Sequence, residues 1–392
     1  MITGINIPEN KEKIAIVAVG YNRKKSLSRL LSSLEIAYYQ HEDIPLVISI
    51  DASGDEEVYA LAREYNWTHG KKYVNIQQER LGLKNHIYQC GDLTKYFKAI
   101  ILLEDDLYVS PYFYDYVEKT VEKYGSDDLI AEISLYKNEA NGYVGLPFHE
   151  LVDGNDVFLM QDVSTWGECW TEKMWNDFVS WRDSHSEEDI LNVNMPNPIK
   201  EWDRAWSKYY NAYVVDTHKY CLYPVSPVTT NFSDAGEHGG DNNDLVQIHM
   251  LWGNKVYVLP DSSRLTKYDI YFNNEAMYDW VGLDRSDLTL DLYGHFGENE
   301  CKTRYLLSTR LLPYKVKTYF GSCVRPIELN VKLGINGTSI RLYDTTQKEK
   351  ISLKGHYAMP LLNYFANTYN HRLLVDLCIR YYWRQLKKKF KK

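Results

Sequence analysis

One stretch limits what this chain can fold into. Between Lys98 and Pro111 an unbroken apolar run, Ala99-Ile100-Ile101-Leu102-Leu103, stops at three consecutive carboxylates, Glu104-Asp105-Asp106, and Leu107-Tyr108-Val109-Ser110-Pro111 follows. A continuous apolar run of this length marks a strand buried on both faces, and so a parallel sheet. Ser110 suits a helix cap, and Pro111 suits the first helical position, where its missing N–H costs no bond. The acids then sit at the carboxyl end of a central strand, where open α/β sheets hold their ligands. Adjacent carboxylates repel, and a divalent cation that favours oxygen, Mg²⁺ or Mn²⁺, would hold them together. A solvated acidic turn is the other reading of the same three residues.

The preceding sequence supports a sheet of that kind. Residues 13–19 (Lys-Ile-Ala-Ile-Val-Ala-Val) predict a first strand, and Gly20-Tyr21-Asn22-Arg23 turns the chain. Leu27, Leu30, Leu31 and Leu34 recur at helical spacing. Pro45 to Ile50 predicts a second strand ending at Asp51. Val58, Leu61, Ala62 and Tyr65 mark the inner face of a second helix, and Tyr73 to Ile76 a third strand. The segment from Glu79 to His86 leads into another helix. Phe113, Val117, Val121 and Tyr124 mark the one after the triplet, with Gly125 as its stop. Alternating strands and helices over about 125 residues predict an α/β fold with a doubly wound sheet. Arg23, Asp51 and His86 fall at strand ends or helix starts on one edge, facing the crevice. There Arg23 suits a phosphate and Asp51 suits a base N–H. No GxGxxG or GxxxxGK[ST] loop is present, which argues against a dinucleotide fold or a P-loop.

Composition excludes several classes. The chain has 392 residues, 44% hydrophobic and 25% charged, as in ordinary globular proteins. No apolar run reaches the roughly 20 residues of a spanning helix. The first thirteen residues lack an apolar signal core, and six scattered cysteines form no CxxC pair. These features predict a cytoplasmic protein with neither a zinc site nor a disulfide framework. The net charge of −8 is uneven. Arg384, Lys387, Lys388, Lys389, Lys391 and Lys392 are six of the 45 basic residues, which leaves 39 against 53 acids, or −14, elsewhere. An acidic body argues against nucleic acid. The basic end fits an anionic membrane surface, giving a peripheral location on its inner face.

Beyond Leu129 the candidates are more scattered. Trp166-Gly167-Glu168-Cys169-Trp170 sets rings beside a carboxylate, which suits a sugar-stacking wall or a core cluster. Trp202-Asp203-Arg204 sets an acid among rings, where lost solvent would raise its pKa toward that of a general base; a surface acid paired with Arg204 or Lys200 is the alternative. Ser233 to Asn243 is a Gly-, Asn- and Asp-rich loop in which His238 can reach a phosphate. Ile327, Leu329, Val331 and Leu333 alternate before Asn336-Gly337, with Ile340 and Leu342 after, which predicts a β-hairpin. Pro360 to Lys392 predicts a basic amphipathic helix with Leu373, Leu374, Leu377 and Tyr381 on its apolar face, either docked on the body or lying on a membrane.

The order of these features resembles that of GT-A glycosyltransferases, whose metal-binding DXD motif the triplet matches. More narrowly, Glu104 to Phe113 resembles the N-acetylglucosaminyltransferase I family. Trp166 to Trp170 is similar to that family's acceptor loop, Trp202-Asp203 to its base motif, and Glu237-His238-Gly239 to its Ser-His-Gly loop. The resemblance spans about residues 13–250. It implies a GT-A domain over 13–260 (a nucleotide-sugar half, 13–125, and an acceptor half, 126–260) followed by a mixed region, 261–392. It further implies that Asp106 contacts Mn²⁺ or Mg²⁺ and that Glu104 and Asp105 lie against ribose and sugar. Arg23, Asp51, His86 and His238 would hold a UDP-sugar, and Trp166, Trp170 and Trp202 would wall the acceptor, a glycan or a lipid-linked sugar. Asp203 would be the base. Glu168, which the family's pattern does not require, is the runner-up, and a single Asp follows Trp202 where the family shows two. The resemblance implies an inverting transferase of bacterial capsule or surface-polysaccharide synthesis. A sugar nucleotidyltransferase and a non-catalytic carbohydrate-binding protein are the rivals.

Overall fold

The computed structural model describes residues 7–203, 205–234, 246–351, 364–365 and 370–389. Strand and helix alternate through the first half as the hydrophobic periodicity predicts. Strand β1 (Asn10–Gly20) leads to helix α1 (Lys24–Glu35), β2 (Leu46–Ile50), α2 (Glu56–Glu64), β3 (Lys72–Ile76), α3 (Leu83–Gly91) and β4 (Phe97–Glu104). These four strands are parallel and lie in the order β3-β2-β1-β4. The chain therefore winds outward from β1 and then returns to its other side. That reversal opens a crevice at the carboxyl ends of β1 and β4. Their register sets Val19 beside Glu104 and Gly20 beside Ile50, so Arg23, Asp51 and the triplet all leave the sheet at one level.

Helix α1 packs the face its sequence marks, whereas α2 buries Val58 and Ala62 together with Tyr59 and leaves the expected Leu61 and Tyr65 half-buried. Leu27, Leu30, Leu31 and Leu34 of α1 are buried. Helix α2 is capped by Asp55, whose Oδ1 accepts from the Glu57 N–H at 3.0 Å and the Val58 N–H at 3.4 Å. Asp55→Ala should therefore cost about 1 kcal/mol, read as a shift in the urea midpoint. Gly91 closes α3 against Trp175, where a Cβ would lie 2.1 Å from a ring carbon.

After the triplet, a short strand β5 (Leu107–Val109) precedes α4 (Phe113–Tyr124). The helix begins two residues later than the Pro111 start predicted. The Ser110 hydroxyl instead accepts from the Tyr112 N–H at 3.2 Å, and Tyr112 occupies the cap position. The sheet continues through β6 (Ile130–Ser134). A hairpin of β7 (Ala140–Asn141) and β8 (Leu146–Pro147) stands apart from it. Next come β9 (Val157–Met160), β10 (Glu168–Thr171), α5 (Glu172–Ser184), α6 (Glu187–Asn192), α7 (Asn197–Lys200), α8 (Trp206–Asp216) and β11 (Tyr220–Pro224). Strand β12 (Thr229–Asn231) pairs with β5, and β13 (Lys267–Tyr268) ends the large sheet. The nine strands run β13-β9-β11-β6-β10-β4-β1-β2-β3, with β10 antiparallel to both β4 and β6. The expected α/β fold is present, as a mixed rather than wholly parallel sheet.

The chain divides into two units, Met1–Ala276 and Met277–Lys392. The second holds α9 (Met277–Val281), β14 (Leu288–Asp291), β15 (Tyr305–Ser308), β16 (Tyr314–Phe320), α10 (Leu329–Lys332) and β17 (Ile340–Lys348). Its sheet runs β14-β15-β17-β16. The predicted hairpin over 327–342 is not there. Ile327 and Val331 are buried at an i, i+4 spacing, which is helical. The Asn330 side chain fixes that turn by accepting from the N–H groups of Cys323 (2.7 Å) and Val324 (3.1 Å). Only the Ile340–Leu342 half is a strand. It pairs antiparallel with β16 and β15. The chain's last described helix runs His371–Lys389. Among the described residues no helix is long and apolar enough to cross a membrane.

Candidate active site

A cleft of about 580 Å³ opens at the carboxyl ends of β1, β2 and β4. Seven of the residues singled out from sequence line it: Arg23, Asp51, His86, Glu104, Asp105, Asp106 and Asp203.

Asp51 ends β2 and is buried. Its carboxylate accepts from the Ala52 N–H (2.9 Å), the Leu81 N–H (2.8 Å) and the Gly82 N–H (2.9 Å). It therefore ties down the loop before α3, where Gly82 takes a φ of +73° that a side chain would strain. A carboxylate has about four acceptor positions, so three are taken here and one remains. His86 is buried on α3, with Nε2 2.8 Å from the Ser49 hydroxyl. Burial pulls its pKa down to about 4 despite nearby Asp51, so the ring is neutral at ordinary pH.

The triplet is not three equivalent acids. Asp105 is buried, and the Arg23 guanidinium grips both its oxygens, Nε to Oδ2 at 3.3 Å and Nη2 to Oδ1. Arg23 Nη2 also lies 3.2 Å from Asp106 Oδ2, and its Nη1 donates to the Asp234 carbonyl at 3.2 Å. Arg23, expected to meet a phosphate, is thus already the counter-charge of the triplet. Burial raises the Asp105 carboxyl to about 6, with Arg23 opposing. Glu104 is pushed up to about 8, chiefly by burial and then by Asp106 and Asp105. Asp106 is partly exposed and lines the cleft.

Three cleft residues went unnoticed in the sequence. Arg80 lies over the Tyr21 ring at 4.9 Å, and Lys84 over Tyr209 at 4.6 Å. Asp234 is held by Arg29 and by the Ser26 hydroxyl at 2.7 Å. The signal for the two cations was a pair of basic residues flanking Gly82 at a helix start on the crevice edge. Arg23, Arg80 and Lys84 face six acids there, Asp51, Glu104, Asp105, Asp106, Asp203 and Asp234.

The acceptor candidates fare unevenly. Asp203 lines the cleft but is exposed, not desolvated between rings as expected, because residues 201–203 form an irregular turn after α7. Trp170 is fully buried, packed among the rings of Trp175, Trp206 and Tyr210, so it has no free face for a sugar and belongs to the core. Trp166 is partly exposed and packs its edge on Tyr136 at 4.6 Å, and Trp202 lies 6.5 Å from Tyr143. Neither lines this cleft. Glu168 is fully buried on β10, away from the lining. His238 and Arg204 lie outside the described residues.

A 172-residue stretch is 26% identical to alpha-1,3-mannosyl-glycoprotein 2-beta-N-acetylglucosaminyltransferase of Arabidopsis thaliana. The proteins this chain is similar to are glycosyltransferases. The Arabidopsis match covers 42% of this chain and 34% of the relative, so the chain spans about a third of that relative's length. No family model matches. Among solved structures, Staphylococcus aureus TarS with UDP-GlcNAc is 13% identical, with a TM-score of 0.40 over 58% of this chain and 60% of that one. The mannosyltransferase PcManGT of Pyrobaculum calidifontis, with GDP-Man and Mn²⁺, is 10% identical, with a TM-score of 0.34 over 56% and 59%.

Proposed function

We propose that this chain is a cytoplasmic, metal-dependent, inverting glycosyltransferase. It would move a sugar from a UDP-sugar to a glycan or lipid-linked acceptor in surface-polysaccharide synthesis. One observation carries the reading: Arg23, Asp51, His86, the triplet and Asp203 line a single cleft at the switch point of the sheet.

The donor set suits a shared metal. Among the described residues no three His, Cys, Asp or Glu side chains form a full cage. Mg²⁺ and Mn²⁺ at diphosphates need only one or two carboxylates, with phosphate oxygens and water completing the shell. Asp106, the partly exposed acid of the triplet, fits that role: Arg23 holds both oxygens of Asp105 but only one of Asp106. When bound, such an ion offsets charge growing on the departing diphosphate.

The protein's own groups do the rest. Arg80 and Lys84 bind the phosphates from the α3 side, and the free acceptor position of Asp51 takes a base N–H. Asp203 takes the proton of the acceptor hydroxyl while that oxygen attacks the anomeric carbon from the face opposite the diphosphate. The bond from that carbon to the phosphate oxygen breaks, UDP leaves with the electron pair, and the configuration inverts.

The test is a panel of UDP-sugars incubated with Mn²⁺ and scored by UDP release. The Arabidopsis relative's name makes UDP-N-acetylglucosamine the first to try. UDP should be released, and EDTA should abolish the release. Pyrophosphate as product would mean nucleotidyl transfer instead. Sugar binding indifferent to UDP and Mn²⁺ in calorimetry would mean a carbohydrate-binding protein.

A further inference from the structure

The helix His371–Lys389 carries a stripe that the fold leaves uncovered. Val375, Cys378, Ile379, Tyr382, Trp383 and Leu386 recur at alternating three- and one-residue steps and line one shallow groove. At helical spacing they occupy an arc of roughly 140°. Five of them are at least half exposed, with Trp383 at 61% and Tyr382 at 66%. A large apolar face left open in this way marks a binding surface. Beside the stripe the helix carries Arg380, Arg384 and Lys387, and on the side away from it Leu377 and Tyr381, two residues of the apolar face expected from the sequence, are exposed as well. Its one acid, Asp376, is paired with Arg380 at 2.7 Å.

We propose that this helix binds an anionic lipid surface, lying in the headgroup plane with the Val375–Leu386 stripe inserted and the basic flank on lipid phosphates. Charge decides between occupants. Two copies joined through the same stripe would bring their basic flanks together, and like charges repel. A neutral apolar partner would leave the cations unanswered. An anionic bilayer answers both the stripe and the cations beside it. Tyrosine and tryptophan rings prefer the boundary between headgroup and acyl chain, where Tyr382 and Trp383 would then sit. The helix cannot span a membrane, so it would lie on it.

The full chain is tested by co-sedimentation with vesicles of phosphatidylcholine alone and of phosphatidylcholine mixed with phosphatidylglycerol. Binding should favour the anionic vesicles by about tenfold or more and weaken as salt is raised. At about fivefold per basic residue, Arg384→Ala with Lys387→Ala should weaken it roughly 25-fold. Ile379→Glu with Trp383→Glu should remove binding while leaving the melting midpoint unchanged, because both side chains are exposed. Equal binding to both vesicle types overturns the proposal. So does a lowered midpoint, which means the stripe is packed within the fold. A dimer in sedimentation velocity that the glutamates dissolve makes a second copy the occupant and overturns it too.

Discussion

Asp203→Asn is expected to lower turnover by about 10²–10⁴-fold, the usual worth of a general base, with little change in the donor KM. The amide keeps the shape of the carboxylate but cannot take the acceptor's proton. Asp203 stands in an exposed turn at the cleft, so the change should leave the stability, read from the urea midpoint, within about 0.5 kcal/mol of the parent. Because Asp203 is solvated, the fall should be steepest with acceptor present. Slow hydrolysis of the donor by water should suffer less, since water needs no positioned base of that geometry. Near-normal transfer by the variant would remove Asp203 from the reaction. Glu168 is a poor substitute, because no part of it reaches the surface of the cleft.

The first half of the fold was legible because its strands and helices announce themselves twice. The apolar run before Glu104 could be only a fully buried strand, and Leu27, Leu30, Leu31 and Leu34 could be only a helix face. With four parallel strands in place, the crevice follows from topology, and so does the meeting of Arg23, Asp51, His86 and the triplet. What the sequence could not show is pairing. Nothing in Glu104-Asp105-Asp106 says that Arg23 closes on the middle acid, or that Asp51 gives its oxygens to the N–H groups of Leu81 and Gly82. Those contacts join residues 30 to 82 positions apart, and no local pattern encodes them.

The tryptophans and the 327–342 stretch show the opposite weakness. A tryptophan beside an acid reads the same whether it walls a sugar site or fills a core. Trp170 fills the core because its strand lies between β4 and β6, beneath α5 and α8, an environment visible only once the sheet is assembled. Alternation over Ile327–Leu333 covers too few residues to separate a period of two from one of 3.6. The Asn330 side chain decides it through bonds to the chain just before it.

The core bears one further cost that predicts how stability depends on pH. Glu168 pairs across β10 with Leu102 of β4 and Ser134 of β6. Glu104 and Glu132 are each two residues along from those partners and so share its face of the sheet. Among the described residues neither Glu168 carboxyl oxygen has a hydrogen-bond partner, and Glu132 has one, the Trp170 indole N–H at 3.1 Å. Burial first, then Glu132 and Glu104, hold the Glu168 pKa well above the usual carboxyl range. The folded chain therefore keeps a proton that the unfolded chain releases above a pH of about 4.3. This contribution to stability is complete below that pH and is lost progressively as the pH rises toward the folded value. Over that window one such proton costs about 1.4 kcal/mol per pH unit. Glu168→Gln does not titrate, so its stability should fall less steeply with pH by that amount, read from urea midpoints at a series of pH values without metal. Parallel curves for parent and variant would mean that Glu168 is ionised in the fold and has a counter-charge.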